Sequence, residues 1–312
     1  MTRMKTKNSK RMMKNKTALY FLICSTIWGL TWIAIKFQIQ AVDSTVAVFY
    51  RFIFATAVMF GLCYFNKTNL KYTVSDHVRF GLQGLFMFCL NFIVTYWASS
   101  MATSALVALA FTSLIFFNMF GARIFFKTPF ENKVVWGAII SLLGMGFITL
   151  NEYQHIVSEP LSIWGFLLSL MATLAASCGN LISTQNRQLK IPILSNNAFS
   201  MLYGSTITFI YCLAMNKDFH VDTSTAFWIS FIYLSIFGTV VSFWSYLKLI
   251  DEVGPSKAAF TSVVSPVIAL VVSTFYEGFS WNLFMLLGVI FCIAGNLVAL
   301  VKFRSLIKRF AV

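Results

Sequence analysis

Residues Leu247 to Val301 read LKLIDEVGPSKAAFTSVVSPVIALVVSTFYEGFSWNLFMLLGVIFCIAGNLVALV. A short polar turn carries Asp251, Glu252 and Gly254-Pro255. An apolar run with Pro266 in its middle follows, then Tyr276-Glu277-Gly278, then a second apolar run holding Gly288 and Gly295. Each run approaches the roughly 20 residues that cross about 30 Å of hydrocarbon. A proline inside a helix supplies no N–H and clashes with the carbonyl four residues earlier, here that of Ser262. The stretch therefore reads as two membrane-spanning helices joined by a tight turn, the first broken at Pro266.

The rest of the chain has the composition such a reading requires. Of 312 residues 58% are hydrophobic and 11% charged, with 34 Phe. A soluble domain carries about 25% charged residues, so this chain lacks the charge to cover a water-facing surface. Its net charge of +14 sits in short runs between apolar segments, which argues for helix orientation and against nucleic acid. The six cysteines fall inside apolar segments with no CxxC pair, and they read as packing residues.

Ten spans follow, at 19–38, 46–65, 78–97, 103–126, 134–150, 163–183, 196–215, 227–247, 257–275 and 281–301. With the first residue inside, nearly every Lys and Arg falls on the cytoplasmic side. Lys217 alone lies opposite, while Lys36 and Arg51 sit near or within spans. That asymmetry is what the positive-inside rule demands, and a miscount by one span would destroy it. Both termini are expected in the cytoplasm, Gly254-Pro255 on that side and Glu277 at the outer face.

The chain also repeats itself. Phe111-Thr112-Ser113 recurs as Phe260-Thr261-Ser262, 149 residues on. Trp28-Gly29 meets Cys178-Gly179 at an offset of 150, and Gly137 and Gly144 meet Gly288 and Gly295 at 151. Five spans per copy is an odd number, so the second copy must enter the membrane from the other side. The expected fold is an all-α polytopic membrane protein with ten transmembrane helices as two inverted five-helix repeats, an arrangement associated with alternating access.

No residue set for chemistry accompanies this pattern. The three histidines lie in loops, no HExxH occurs, and no phosphate-cradling GxxxxGK[ST] is present. No enzyme activity, cofactor or metal is expected. The informative residues are polar groups inside spans, each unfavourable in hydrocarbon unless paired or facing a cavity. Arg51 is the foremost. It reads either as a substrate-carboxylate or gating contact, or as a structural partner of Glu277 or Asp43 at the outer face, or as a side chain that snorkels to the interface. Asn91 and Asn180 either bridge helices or face a wet cavity. Trp28 and Trp32, four residues apart, share one helix face. Tyr246 reads as membrane-interface belt or pocket lining. Ser262 and Pro266 read as a static kink or a hinge.

WGLTWIAIK, the Arg51 helix, and the run GPSKAAFTSVVSPVIALVVSTFYEGFS followed by LLGVIFCIAGNLV resemble the EamA-type transporters of the drug/metabolite transporter superfamily. The resemblance covers nearly the whole chain in two repeats, at 19–150 and 161–301; the charge and span pattern leaves a basic tail at 1–18, an extracytoplasmic linker at 151–160 and a basic tail at 302–312. The resemblance implies a central cavity formed mainly by helices 1, 3, 4, 6, 8 and 9. It also implies export of small metabolites or amino acids without a bound prosthetic group. The first repeat departs from the pattern, with Phe117 at the proline position and Thr128 at the glutamate position, so the fourth helix is expected straighter than the ninth.

These readings converge on a secondary transporter in the cell (inner) membrane. It would move small metabolites, amino acids or similar amphipathic solutes, outward by alternating access. Trp28, Trp32, Asn91, Asn180, Tyr246 and Ser262 are placed along the substrate path, and Arg51, Pro266 and Glu277 at a gate or hinge. The expected partners are a small-molecule substrate, the lipid bilayer and, as candidate assembly, a second copy in a homodimer. Two alternatives stand beside this: a carrier of phosphorylated or nucleotide-sugar solutes, which should need more buried Lys or Arg, and a non-transporting scaffold or lipid-handling protein. A polar-lined cavity between the repeats separates a carrier from a scaffold.

Overall fold

Backbone polar groups have no water to bond in hydrocarbon, and a helix pairs them within the segment. The computed structural model describes residues 2–102, 107, 110–150, 160–276 and 282–300, and among these every regular element is helical. In chain order they are α1 (Thr2–Ala41), α2 (Ser44–Phe65), α3 (Val74–Met101), α4 (Leu114–Phe126) and α5 (Asn132–Leu150). Then come α6 (Pro160–Gln188), α7 (Ile193–Ala214) and α8 (Thr225–Val253). A single turn (Pro255–Ala258) leads into α9 (Thr261–Tyr276), and α10 (Leu283–Leu300) closes the order.

Among the described residues, six helical stretches are long and apolar enough to cross a membrane: Lys16–Ala41, Ser44–Phe65, Val74–Met101, Ile163–Gln188, Thr225–Val253 and Pro255–Val272. Ala110–Phe126, Asn132–Phe147 and Leu283–Ala299 are shorter apolar helices. On the outside, Ile124 and Phe125 are 72% and 71% exposed, a surface suited to lipid and not to water. The chain is a multi-pass membrane protein. α7 has span length too, but Asn196, Asn197 and several hydroxyls lower its hydropathy, and these polar residues are turned inward.

Local chemistry sets the helix ends. Asp43 caps α2, accepting from the Thr45 amide at 2.8 Å and the Val46 amide at 3.4 Å. Thr73 and Asp76 form a capping box at the start of α3. Gly254, at φ +84°, ends α8 in a conformation open to a residue without Cβ, and Pro255 starts the next turn where its missing N–H is no loss.

Packing reveals how the two halves relate. Phe49 faces Phe209 and Phe60 faces Phe199, with ring centroids 5.1 and 5.2 Å apart, so α2 and α7 run antiparallel. Gly137 abuts Gly295 and Gly144 abuts Gly288, so α5 and α10 are antiparallel as well. A Cβ on Gly144 would stand 2.6 Å from the Gly288 carbonyl oxygen; only glycine lets these backbones approach so closely. At the sequence offset of about 150, α7 is the counterpart of α2 and α10 of α5. A helix antiparallel to its own counterpart is the geometry of an inverted repeat.

α3 and α8 share a feature the sequence did not announce. Each widens into a π-helical stretch, at Gly84–Leu90 and Tyr233–Val241. The Asn91 amide reaches back five residues to the Phe86 carbonyl, and the Ser242 amide likewise to Phe237. These two amides are 151 positions apart, the offset that separates Gly137 from Gly288.

The expected break at Pro266 requires correction. α9 runs through Pro266, and the interruption lies earlier, at Ala259-Phe260. There the Ser262 amide bonds the Ala259 carbonyl at 2.9 Å, and the Ser262 hydroxyl bonds the same oxygen at 2.6 Å. The counterpart is built the same way: Ser113 reaches the Ala110 carbonyl with its amide at 3.0 Å and its hydroxyl at 2.5 Å. Both sites carry the tetrapeptide Ala-Phe-Thr-Ser, and the first has Phe117 where the second has Pro266. The interruption thus follows the serine, whose hydroxyl competes for a helix carbonyl and tightens the turn to a three-residue spacing. The predicted contrast between a straight fourth helix and a broken ninth does not hold at this turn.

Candidate functional site

A cavity of about 120 Å³ lies between the halves, lined by side chains of α1, α2, α3, α6, α8 and α9 and by Phe111 and Leu114 at the start of α4. It brings together Trp28, Trp32, Asn91, Asn180, Tyr246 and Ser262, together with Arg51 and Pro266. Glu277 lies outside the described residues.

Arg51 is the charged side chain among the described residues that line the cavity, and it is 1% exposed. Its guanidinium crosses from α2 to α8. Nε donates to Thr239 Oγ1 at 2.7 Å and Nη2 to the Gly238 carbonyl at 3.0 Å. The guanidinium carbon stands 4.8 Å from the Phe92 ring centroid, a cation–π contact, and the Tyr96 hydroxyl lies beside it. Nη1 is buried and makes no hydrogen bond within 3.5 Å among the described residues. Translocon scales put Arg at mid-span about 2.5–3.5 kcal/mol uphill, and these contacts offset part of that. Asp43, one of the two carboxylates considered for Arg51, pairs instead with Lys217 at 2.8 Å.

The wide turn of α8 explains why Gly238 can receive the arginine. The Ser242 amide bypasses the Gly238 carbonyl for that of Phe237, which leaves the Gly238 oxygen to side chains. Trp28 Nε1 points at the same oxygen at 3.4 Å. In α3 the equivalent amide bypasses Met87, and the Asn91 side chain takes that carbonyl, Nδ2 to oxygen at 3.4 Å. A carbonyl accepts only a donor, so this bond orients the Asn91 amide. Its Oδ1 is left buried and without a hydrogen-bond partner among the described residues.

The walls are aromatic. Trp28 packs edge-on against Tyr246 and Phe243, at 4.9 and 5.4 Å between centroids, and Trp32 meets Phe111 at 6.3 Å. At one end of the cavity Asn180 Nδ2 donates to the Tyr246 hydroxyl at 3.1 Å and contacts Asn118 Oδ1 at 3.4 Å. Asn118 Nδ2 in turn donates to the Pro255 carbonyl at 3.1 Å. Pro255 belongs to a second cavity of about 480 Å³, lined also by Met119, Glu131, Arg187, Asp251 and Lys257. The Asn180–Asn118 string thus connects the two spaces. Around the larger one, Glu131 pairs with Lys257 and, at 3.4 Å, with Lys133. Arg187 holds Asp251 through two bonds, at 3.1 and 2.8 Å.

Sequence reasoning missed Asn118, Gly238, Thr239 and Phe92. Asn118 carried a readable signal, a polar side chain inside an apolar span. The other three owe their place to the wide turn and to the neighbour helix, and no local pattern marks them.

The model of the EamA-like transporter family matches this chain twice, at residues 15–150 and 163–301. The chain belongs to the EamA-like transporter family. It is 24% identical over 286 residues to an uncharacterized transporter of Buchnera aphidicola subsp. Schlechtendalia chinensis, covering 91% of this chain and 93% of the relative. It is 24% identical over 252 residues to the uncharacterized inner membrane transporter YedA of Escherichia coli (strain K12), covering 80% and 78%. A solved crystal structure superposes with a TM-score of 0.73 at 15% identity, over 92% of this chain and 97% of that one, a likeness of fold. The two EamA-like matches assign α1–α5 to one copy and α6–α10 to the other, and the cavity is lined from both. Transport across a membrane is the family's activity, and this chain is a membrane transporter.

Proposed function

We propose that the protein is a secondary carrier of the cell (inner) membrane that moves small amphipathic solutes, amino acids among them, outward by alternating access. The carrying observation is the cavity lined from both halves, with one cation and an aromatic wall. Antiparallel counterpart helices support two inverted five-helix repeats, at 19–150 and 161–301, and ten spans with both termini in the cytoplasm. On that topology the cavity bounded by Glu131, Arg187, Asp251 and Lys257 faces the cytoplasm, and the Asp43–Lys217 pair lies at the outer face. Arg51 and Glu277 are the proposed outer gate. Bending at the Ala259–Ser262 turn, next to Pro266, opens the inner side. The likeness to YedA, an inner membrane transporter, supports the inner membrane as location.

No carboxylate lines the central cavity among the described residues, which favours uniport or exchange over an acidic proton relay. A single arginine and about 120 Å³ suit a small solute better than a nucleotide sugar, since pockets for drug-sized ligands span about 300–1,000 Å³. The test is counterflow in proteoliposomes over amino acids, nucleosides, sugars and nucleotide sugars. Saturable exchange of a small amphipathic solute is expected; absence of exchange for every solute would remove the carrier reading.

A further inference from the structure

The central cavity and the larger charged one are two parts of one path, because four elements line both: α4, α6, α8 and the chain that enters α9. Along α6, Ala176 and Asn180 line the first space and Thr184 the second, and residues four apart share a helix face. Along α8, Tyr246 lines the first and Ile250 the second. Along α4, Leu114 lines the first and Met119 the second. On the way into α9, Ser262 lines the first and Lys257 the second. The step between the spaces is about one helical turn, ~5.4 Å. Every one of these walls is closed over that step. Asn118 is fully buried and lines neither space, Asn180 and Tyr246 are 1% and 2% exposed, and Ala258, Ala259, Phe260 and Thr261 are fully buried.

We infer that Asn118, Asn180 and Tyr246 form the barrier that shuts the central cavity off from the charged one, and that the turn at Pro255–Ala258 controls its opening. This rests on the carrier reading above and names one of its gates. The three side chains come from α4, α6 and α8. Asn180 joins them, through its contacts with the Tyr246 hydroxyl at 3.1 Å and Asn118 Oδ1 at 3.4 Å. Asn118, the member from the first copy, donates to the Pro255 carbonyl at 3.1 Å. Two residues on, Lys257 pairs with Glu131, also of the first copy. The turn is thus held to the first copy at two points, just ahead of the interruption at Ala259-Phe260. Moving it breaks the Asn118 bond that braces the barrier. The chemistry suits a barrier that opens repeatedly. The layer is neutral, so no buried ion loses a partner when it parts. An apolar plug would offer a polar solute nothing in place of its water. Two amides and a phenol donate and accept, so a passing solute trades bond for bond.

Single cysteines on the α6 face test this. Ala176→Cys puts a thiol in the central cavity and Thr184→Cys one in the charged cavity, each one turn from Asn180. A membrane-impermeant maleimide is applied to either face of sealed vesicles, and labelling is read as the excess over the chain with its six native cysteines. From the face at which Thr184→Cys reacts, Ala176→Cys is expected to react at least about tenfold more slowly. That comparison needs no substitution in the barrier. Asn118→Ala and Tyr246→Phe, each checked for folding by thermal shift, are expected to raise the Ala176→Cys rate from that face at least about fivefold and to leave the Thr184→Cys rate unchanged. Equal rates at the two positions in the otherwise native chain put the barrier elsewhere and overturn the inference. So do folded Asn118→Ala and Tyr246→Phe variants with no effect on Ala176→Cys. Thr184→Cys unreactive from both faces overturns it too, since the charged cavity would then not open to water. Labelling needs no solute, so failure of the barrier is told apart from failure of the carrier reading, which counterflow tests.

Discussion

Arg51 Nη2 donates to the Gly238 carbonyl at 3.0 Å, and that oxygen is available because α8 widens by one residue just there. The contact ties α2 of the first copy to α8 of the second, and it holds the guanidinium at the cavity wall. A Cβ on Gly238 would lie 3.0 Å from Thr31 Cγ2 and 3.3 Å from Arg51 Nη2. Gly238→Ala should push the guanidinium off its seat. Exchange is expected to fall by roughly tenfold, equivalent to about 1.4 kcal/mol, with a melting temperature close to wild type. Unchanged exchange would show that the seat is not needed.

Arg51→Lys separates charge from shape. Lysine keeps the charge but lacks the fork that binds two acceptors at once. One of the bonds to Thr239 and Gly238 is lost, about 1–3 kcal/mol if the partner stays unsatisfied. Lower exchange and a lower melting temperature are both expected. Wild-type values for both would mean that a point charge suffices.

The glycine contact of α5 with α10 should be the most sensitive packing site. Gly144→Val places bulk against the Gly288 carbonyl and the Cys292 amide, where a Cβ alone already falls at 2.6 and 2.7 Å. Overpacking of this kind costs about 1–3 kcal/mol. The variant should unfold several degrees lower in detergent. An unshifted transition would mean that the two helices do not pack this closely.

Pro266 now has a narrower role. It leaves the Ser262 carbonyl without the donor four residues on, beside a turn that Ser262 has already tightened. Pro266→Ala restores that donor. Transport is expected to slow several-fold while thermal stability stays equal or rises. Full-speed transport would put all the bending in residues 259–262. Ser113→Ala and Ser262→Ala would then be the informative pair.

The Asp43–Lys217 pair sets a pH window. Burial pushes the Asp43 carboxyl up, but Lys217 and the Thr45 and Val46 amides outweigh it and hold the group below the usual carboxylate range. The Asp43 hydrogen bond pushes the Lys217 ammonium above its ordinary value. A depressed carboxylate contributes above its unfolded pKa near 3.9 and loses that contribution as pH falls through its folded value. A raised ammonium contributes below about 10.4 and loses it as pH rises through its folded value. The pair should therefore hold from about pH 5 to 9. Asp43→Asn should cost at most about 1 kcal/mol, since the pair is partly exposed and screened. A melting temperature that varies strongly inside this window would contradict the assignment.

Much of the architecture was legible because membrane physics leaves few options. Apolar runs of span length must be helices, and the recurrence of Phe-Thr-Ser and of glycines seven apart exposes the two copies. Trp28, Trp32, Asn91, Asn180, Tyr246 and Ser262 stood out as polar or aromatic groups inside such runs, with Asn180 and Tyr246 late in theirs, and the fold collects them at one cavity. The position of the break in α9 was misread because proline is the loudest local signal in that helix. The quieter serine at 262, with its twin at 113, makes the turn.

The sequence by itself determined the class of molecule, the helices and the repeat, since each depends on composition, charge and spacing along the chain. Only the tertiary structure decided which groups meet. The partner of Arg51 is a backbone oxygen 187 residues away, released by a wide turn that has no sequence signature. The open atom of Asn91 follows from the bond its other end makes. Such pairings depend on how helices from opposite copies face one another, and hydropathy, which reads one helix at a time, carries no record of that.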